Sequence, residues 1–462
     1  MEITRYGWGR SGQTVIKRAV GIAVTVCLWS GMAWAAPEAN DPFVAAMEAA
    51  LGKNPKVVGA AAQLRSAMER LPQARAQLKP TVDFNASLTH NHISWNSGDS
   101  SADAKVYGLS LTQPLYNPKA MANLRLSRPF VAASEQDLQA AIQGVFLEAA
   151  TTVVEVLQAR EVVRLAKNNR ELLQHHLDAT RSRFKVGEIT RTDVSQAEAR
   201  LAQAEATQVR AENTLAVNRA RFQEVVGSAV PEGLRLPGFR ERLEDLTLSE
   251  LQIRSADRPE LLAALLRSKV AEEDIELKRA GHLPSISLNA RANRSNDEEI
   301  SGTTDPLNKY TVDVGLSVPL YAGGMVVSQT AESVARKEAQ DADLERLRFQ
   351  VNREVASARL DLHSARAADK ALETALRAAN DALDGVEREY QVGTRTALDL
   401  LDARNEAFSA QTELARSRFG IVLSGFRLLY AVGRLNLDAL TLNAPQPGET
   451  PTEQPKMKLE KK

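Results

Sequence analysis

Four short stretches of the chain alternate between apolar and polar residues with period two, and nearly everything else that carries a pattern is helical. In Thr81–His90, Val82, Phe84, Ala86 and Leu88 share one face, while Thr81, Asp83, Asn85 and Ser87 share the other. Tyr107, Leu109 and Leu111 alternate with Val106, Gly108 and Ser110. Ile286, Leu288, Ala290 and Ala292 alternate with Ser285, Ser287, Asn289 and Arg291. Tyr310, Val312, Val314, Leu316 and Val318 alternate with Thr311, Asp313, Gly315 and Ser317. Successive side chains of a strand point to opposite faces, so each stretch predicts a strand that is apolar on one side only. The strands are expected at 81–90, 105–113, 285–294 and 309–318, about ten residues each, the length of a tilted membrane-crossing strand. The stretches Asn91–Ala104 and Ser295–Asn308 are rich in Asn, Ser, Asp and Gly and are expected as exposed loops.

The helical runs are long. One extends from Pro118 to about Val186 and a second from Gly324 to about Val392. At 1.5 Å per residue each would reach about 100 Å, several bilayer thicknesses. Pro129 predicts a kink or a late start in the first. Return helices are expected from about Thr192 to Val226 and from about Thr396 to Leu435. In the first of these Ala197, Ala199, Ala202, Ala204 and Ala206 would let a neighbouring helix approach closely. Gly187 and Gly393 mark the turns between outgoing and return helices, because glycine tolerates the left-handed backbone beyond a helix end. Thr190 or Thr192, and Thr396, can cap the return helices, with Asp193 and Asp399 in the first turn.

The two halves repeat. Val186, Gly187, Thr190, Asp193 and Ala197 match Val392, Gly393, Thr396, Asp399 and Ala403 at one offset of 206 residues. Val145 and Glu148 match Val351 and Glu354 at the same offset. Leu109–Tyr116, LSLTQPLY, parallels Val314–Tyr321, VGLSVPLY. A period this long is a duplicated domain and not a solenoid module. Each half reads helix, strand, strand, long helix, turn, helix. The predicted organisation is a first repeat over 36–226, a connection over 227–257 and a second repeat over 258–444. Residues 445–462, rich in Pro, Glu and Lys, are expected to be disordered.

Composition narrows the function classes. Aromatic residues make up 5% of the chain, and Lys+Arg and Asp+Glu are each 58. Such a balance carries no nucleic-acid footprint. The N-terminus has the form of a signal peptide, 1–35: basic Arg5, Arg10, Lys17 and Arg18, an apolar stretch Ala19–Leu28, then Ala33-Trp34-Ala35 for cleavage. The single cysteine, Cys27, lies inside it, which excludes a thiol enzyme, a disulfide scaffold and a cysteine metal site from the mature chain. The histidines are weak signals: His90 and His92 share one side of a strand end, and the adjacent His175 and His176 face apart on a helix. Neither a nucleophile with a base nor a Gly-rich phosphate loop is present, so no enzyme, cofactor or metal centre is expected.

Four strands are too few to close a barrel, and three chains would give twelve, within the range of outer-membrane barrels. The competing reading is a periplasmic structural or adaptor coiled-coil protein without a pore. The polar strand faces favour the barrel, because Asp83, Asn85, Asn289, Arg291 and Asp313 suit a wet lumen.

The paired strands ending in PLY, the VG helix turns, TRTDVSQAEARL and TRTALDLLDA resemble the TolC family of outer-membrane channel-tunnels, over about Asp41 to Leu442. The resemblance implies a mainly α fold with a membrane β-barrel. It implies a homotrimer with a 12-stranded barrel in outer-membrane lipid and a 12-helix α-barrel in the periplasm. It implies a passive exit duct for drugs, small molecules or secreted proteins. The partners would be a periplasmic membrane-fusion adaptor and an inner-membrane transporter of ABC, RND or MFS type. The VGEITRTDV stretch is similar to members that serve type I protein secretion.

Two residue sets stand out. Asp399 and Asp402 lie three apart on one helix face, and the first copy has Asp193 but Gln196 at those positions. They could compensate the charge of a helix N-terminus or, under threefold symmetry, form stacked carboxylate rings. The resemblance implies the rings, as a periplasmic constriction. Tyr390 and Arg395 stand where the first copy has Phe184 and Ile189. They could be an interfacial Tyr and a snorkelling Arg. The resemblance implies that they bond near Thr192 and Asp193 and lock the helix tip.

Overall fold

A computed structural model describes residues 41–95, 98–239, 246–296 and 307–441. The expected signal peptide and C-terminal tail lie outside the described residues. The order of elements is α1 (Pro42–Lys53), α2 (Pro55–Ala76), β1 (Thr81–Trp95), β2 (Gly98–Tyr116), α3 (Pro118–Lys185) and α4 (Arg191–Val226). A short β3 (Gly238–Phe239) and α5 (Leu248–Ser255) follow, then α6 (Pro259–Arg279), β4 (Ser285–Asn296) and β5 (Leu307–Ser317). The chain continues through α7 (Met325–Gln391), α8 (Ala397–Ala431) and β6 (Leu440–Thr441). The duplicated order is that expected. Pro129 lies within α3 and does not end it.

Two compact units arise, and each takes pieces from both halves of the duplication. Of the described residues, one unit comprises those within Gly59–Ala140 and Ala256–Val351, and the other comprises those from 41 to 58, within Ala141–Ser255, and from 352 to 441.

The first unit holds the sheet. Its order is β1-β2-β4-β5, with every neighbouring pair antiparallel. The apolar face is uncovered: Phe84 is 70%, Tyr310 79% and Val312 74% exposed. The opposite face carries a polar network. Thr112 donates to Asn289 Oδ1 at 3.3 Å, Asn289 donates to Asp313 Oδ2 at 2.9 Å, and Arg291 lies 3.8 Å from Asp313. On that face Asn293 closes over Gly108, where a Cβ would stand 2.6 Å from its Oδ1.

The strands run further than the alternation predicted, and this corrects the loop expected at Asn91–Ala104. Asn91–Trp95 pairs with Gly98–Ala102, in register with the rest of the hairpin. Backbone hydrogen bonds of a ladder do not require a continuous apolar face, so pairing continues where the apolar/polar alternation of the strand breaks off. In the second hairpin the ladder reaches Ser295 opposite Leu307, so the ends of the other expected loop are also strand.

In the second unit α3 and α4 form a helical hairpin, as do α7 and α8. Leu173 and Leu177 of α3 pack with Ala197, Leu201 and Ala204 of α4 and with Leu401 of α8. Positions 197, 201 and 204 follow helical spacing, so one stripe of α4 is buried. Ala199, Ala202 and Ala206, grouped with them in the sequence, are exposed. Among the described residues α3 contains the one stretch apolar and long enough to cross a bilayer by composition. Its Val145, Phe146, Val153 and Val154 are buried in protein. Part of the connection packs on α8: Phe239 meets Phe426 edge-on at 5.3 Å, and Phe43 stacks on the same ring at 6.4 Å.

Candidate functional site: the helix tips

Both helical hairpins turn in the same way. Gly187 and Gly393 adopt φ of 80° and 83°, the left-handed region where a Cβ is costly. Gly187 N donates to Phe184 O at 2.9 Å, and Glu188 N to Arg183 O at 3.1 Å. Gly393 N donates to Tyr390 O at 3.1 Å, and Thr394 N to Glu389 O at 3.0 Å. This pair of bonds satisfies the last carbonyls of the outgoing helix.

Each return helix then opens with a reciprocal cap. Of the two candidates in the first copy, Thr190 is the cap, and Thr192 is exposed just inside the helix. Asp193 N donates to Thr190 Oγ1 at 3.3 Å, while Thr190 N and Oγ1 donate to Asp193 Oδ2 at 2.9 and 2.8 Å. In the second copy Asp399 N donates to Thr396 Oγ1 at 3.2 Å. Thr396 N and Oγ1 donate to Asp399 Oδ2 at 3.0 and 2.8 Å. Those bonds, from the hydroxyl first and the backbone N–H second, hold the Asp399 carboxyl below its usual range, with help from Arg395. Within one chain Asp399 therefore does what a helix N-terminus needs. Asp402, one turn on, lies 2.5 Å from Arg200 of α4.

Tyr390 and Arg395 flank the second turn. Arg395 donates to Glu389 Oε2 at 2.8 Å, which raises its basicity further. Tyr390 meets α3 through its ring: His176 lies 6.3 Å away between centroids, and the Arg183 guanidinium sits 5.5 Å from the ring centre. Among the described residues of one chain, neither Tyr390 nor Arg395 is hydrogen-bonded to Thr192 or Asp193. At the outer end of the sheet, His90 lies 2.7 Å from Asp103 across the β1–β2 hairpin.

Several tip residues carry no motif that singles them out: His176, Arg183, Arg200, Glu387 and Arg404. One signal could have found part of the set. Arg181 pairs with Glu198 at 2.7 Å, and Glu387 pairs with Arg404 at 3.3 Å, both seventeen residues apart. These are the same positions of the two copies with the charges exchanged. A swapped pair at the repeat offset marks residues that face each other across a hairpin.

The comparisons with known proteins agree with this geometry. Residues 46–228 and 251–431 match the family model described as "Outer membrane efflux protein", one stretch per repeat. The chain is 29% identical to the outer membrane protein TolC of Vibrio cholerae over 398 residues, 85% of this chain and 90% of that one. It is 25% identical to the alkaline protease secretion protein AprF of Pseudomonas aeruginosa, covering 89% of this chain and 86% of that one. In fold it resembles the CmeC outer membrane channel of Campylobacter jejuni, with a TM-score of 0.74, 16% identity and coverage of 87% of each chain.

Proposed function

This chain belongs to the outer membrane efflux protein family, and we propose that three copies of it form one gated exit duct. The observation that carries the reading is the open four-stranded sheet, apolar and uncovered on one face and polar on the other. Among the described residues β1 and β5 each present an unpaired edge, and an open edge inside a bilayer leaves backbone groups without partners. Pairing β5 of one copy with β1 of the next, three times, removes every edge. The apolar face then meets lipid, and Asn289, Arg291 and Asp313 face water. The helical hairpins of three copies would supply twelve helices, with the exposed Ala199, Ala202 and Ala206 available to a neighbouring copy.

The duct is passive. An inner-membrane pump, coupled through a periplasmic adaptor, supplies energy and cargo. The relatives include a protease secretion protein as well as channels, so cargo is set by the pump and not by the strand or tip residues. Tyr390, Arg395, Thr192 and Asp193 lock the tips, and Asp399 with Asp402 forms the constriction. The signal peptide 1–35 is removed, leaving the repeats 36–226 and 258–444 joined by 227–257, with 445–462 following the second repeat.

Three measurements on the purified protein test this. Intact mass should begin at Ala36, the mass in detergent should be that of a trimer, and planar-bilayer recordings should show discrete channels. A soluble periplasmic monomer without conductance would sink the reading. The pump that co-purifies with the trimer identifies the cargo class.

A further inference from the structure

His176 occupies an unusual place at the helix tips. It lies on α3 and faces the second hairpin, where its ring meets Tyr390 of α7. Its Nε2 is buried and has no hydrogen-bond partner among the described residues. The charged groups facing it come from three helices: Arg183 of α3, Glu387 of α7 and Arg404 of α8. Glu387 is already engaged by Arg404 at 3.3 Å. From α4, the packing against this stretch of α3 is by Ala197, Leu201 and Ala204, and Arg200 of that helix is held by Asp402. Tyr390 itself lies under the Arg183 guanidinium.

A neutral imidazole fits this surrounding, and an imidazolium does not. A second N–H would need an acceptor at Nε2, and the new charge would be opposed by the Arg404 and Arg183 guanidiniums. The carboxylate able to answer it, Glu387, would have to leave Arg404.

We propose that His176 is an acid-released latch between the two helical hairpins, holding Tyr390 and the end of α7 against α3 while neutral and letting them go when protonated. This deepens the gate reading of Tyr390 given above and rests on it for its effect on flow. Burial first, then Arg404 and Arg183, push the His176 pKa below the ordinary value. The sign follows. The packed tip binds fewer protons than the released tip, so the latch is fully present above the ordinary value, near 6.5. It is lost as pH falls from there through the depressed value.

The test is hydrogen exchange of residues 384–395 in the detergent-purified protein at about pH 8 and about pH 5.5, after correction for intrinsic rates. Wild type should show a several-fold rise at the lower pH. His176→Gln keeps a polar side chain of similar size but cannot titrate. Without the ring contact to Tyr390 its exchange starts at or above the wild-type level at the higher pH, and it should show no further rise at the lower. No rise in wild type, or the same rise in the variant, would overturn the latch. Channel recordings on the same two proteins separate the latch from the gate. A latch that releases in exchange without raising conductance would leave His176 in its role and take the gate away from Tyr390.

Discussion

At Asp399 two roles meet in one carboxylate. Its cap bonds to Thr396 keep it ionised, so it brings charge to the tip whether or not a neighbouring copy is present. A carboxyl held below its ordinary value contributes fully above about pH 4 and loses that contribution as pH falls through the depressed value. The part of the cation preference owed to Asp399 should therefore be constant from about pH 5 to about pH 8, read as reversal potential in a salt gradient. Asp402 is tied to Arg200, which offsets part of its charge. Replacing both aspartates by Ala should abolish block by multivalent cations and lower cation selectivity by about tenfold or more. Unchanged block would place the constriction elsewhere on the tips.

The elements differ in what holds them. The end of α7 is fixed to α3 by Tyr390, through its ring, and to its own turn by the Arg395–Glu389 pair. Tyr390→Ala with Arg395→Ala should release it and leave the α3–α4 packing intact. Three copies multiply small losses at distant sites, so an open fraction raised about tenfold or more is expected in single-channel recordings of an intact trimer. The strands depend on lipid instead. Val312 lies mid-strand on the uncovered apolar face. Val312→Arg should cost about 2–4 kcal/mol per copy and abolish heat-modifiable trimers on gels, because a charge in the hydrocarbon core has no partner. Asn85→Asp, on the polar face, should leave migration unchanged.

At the scale of the whole molecule, the proposed duct makes one chain a part of it and not the whole. Among the described residues four strands leave two edges and an apolar face without cover, and four strands are too few to close a barrel. The two compact units also interleave the halves of the duplication, so neither repeat folds as a separate body. That arrangement suits a chain in which elements of the two copies become neighbours: β2 of the first copy pairs with β4 of the second, and Leu401 joins the core begun by Leu173 and Ala197.

Much of this was legible in the residues. Period-two alternation gave the four strands and their apolar faces, because the pleat imposes that period on any half-buried strand. The two glycines and the threonine–aspartate pairs placed both tips, because left-handed turns and orphan N–H groups accept few residue types. The repeat offset tied the copies together. Other features depended on atoms brought together from far apart. The ladder beyond His90 rests on backbone bonds, which no side-chain pattern reports. The choice of Thr190 over Thr192 turns on one residue of helix phase. The Asp402–Arg200 pair and the contacts of Tyr390 with His176 and Arg183 join residues that are local to different helices. Sequence periodicity determines which face of a helix is apolar; only tertiary packing decides which charged group of one helix stands opposite which group of the next.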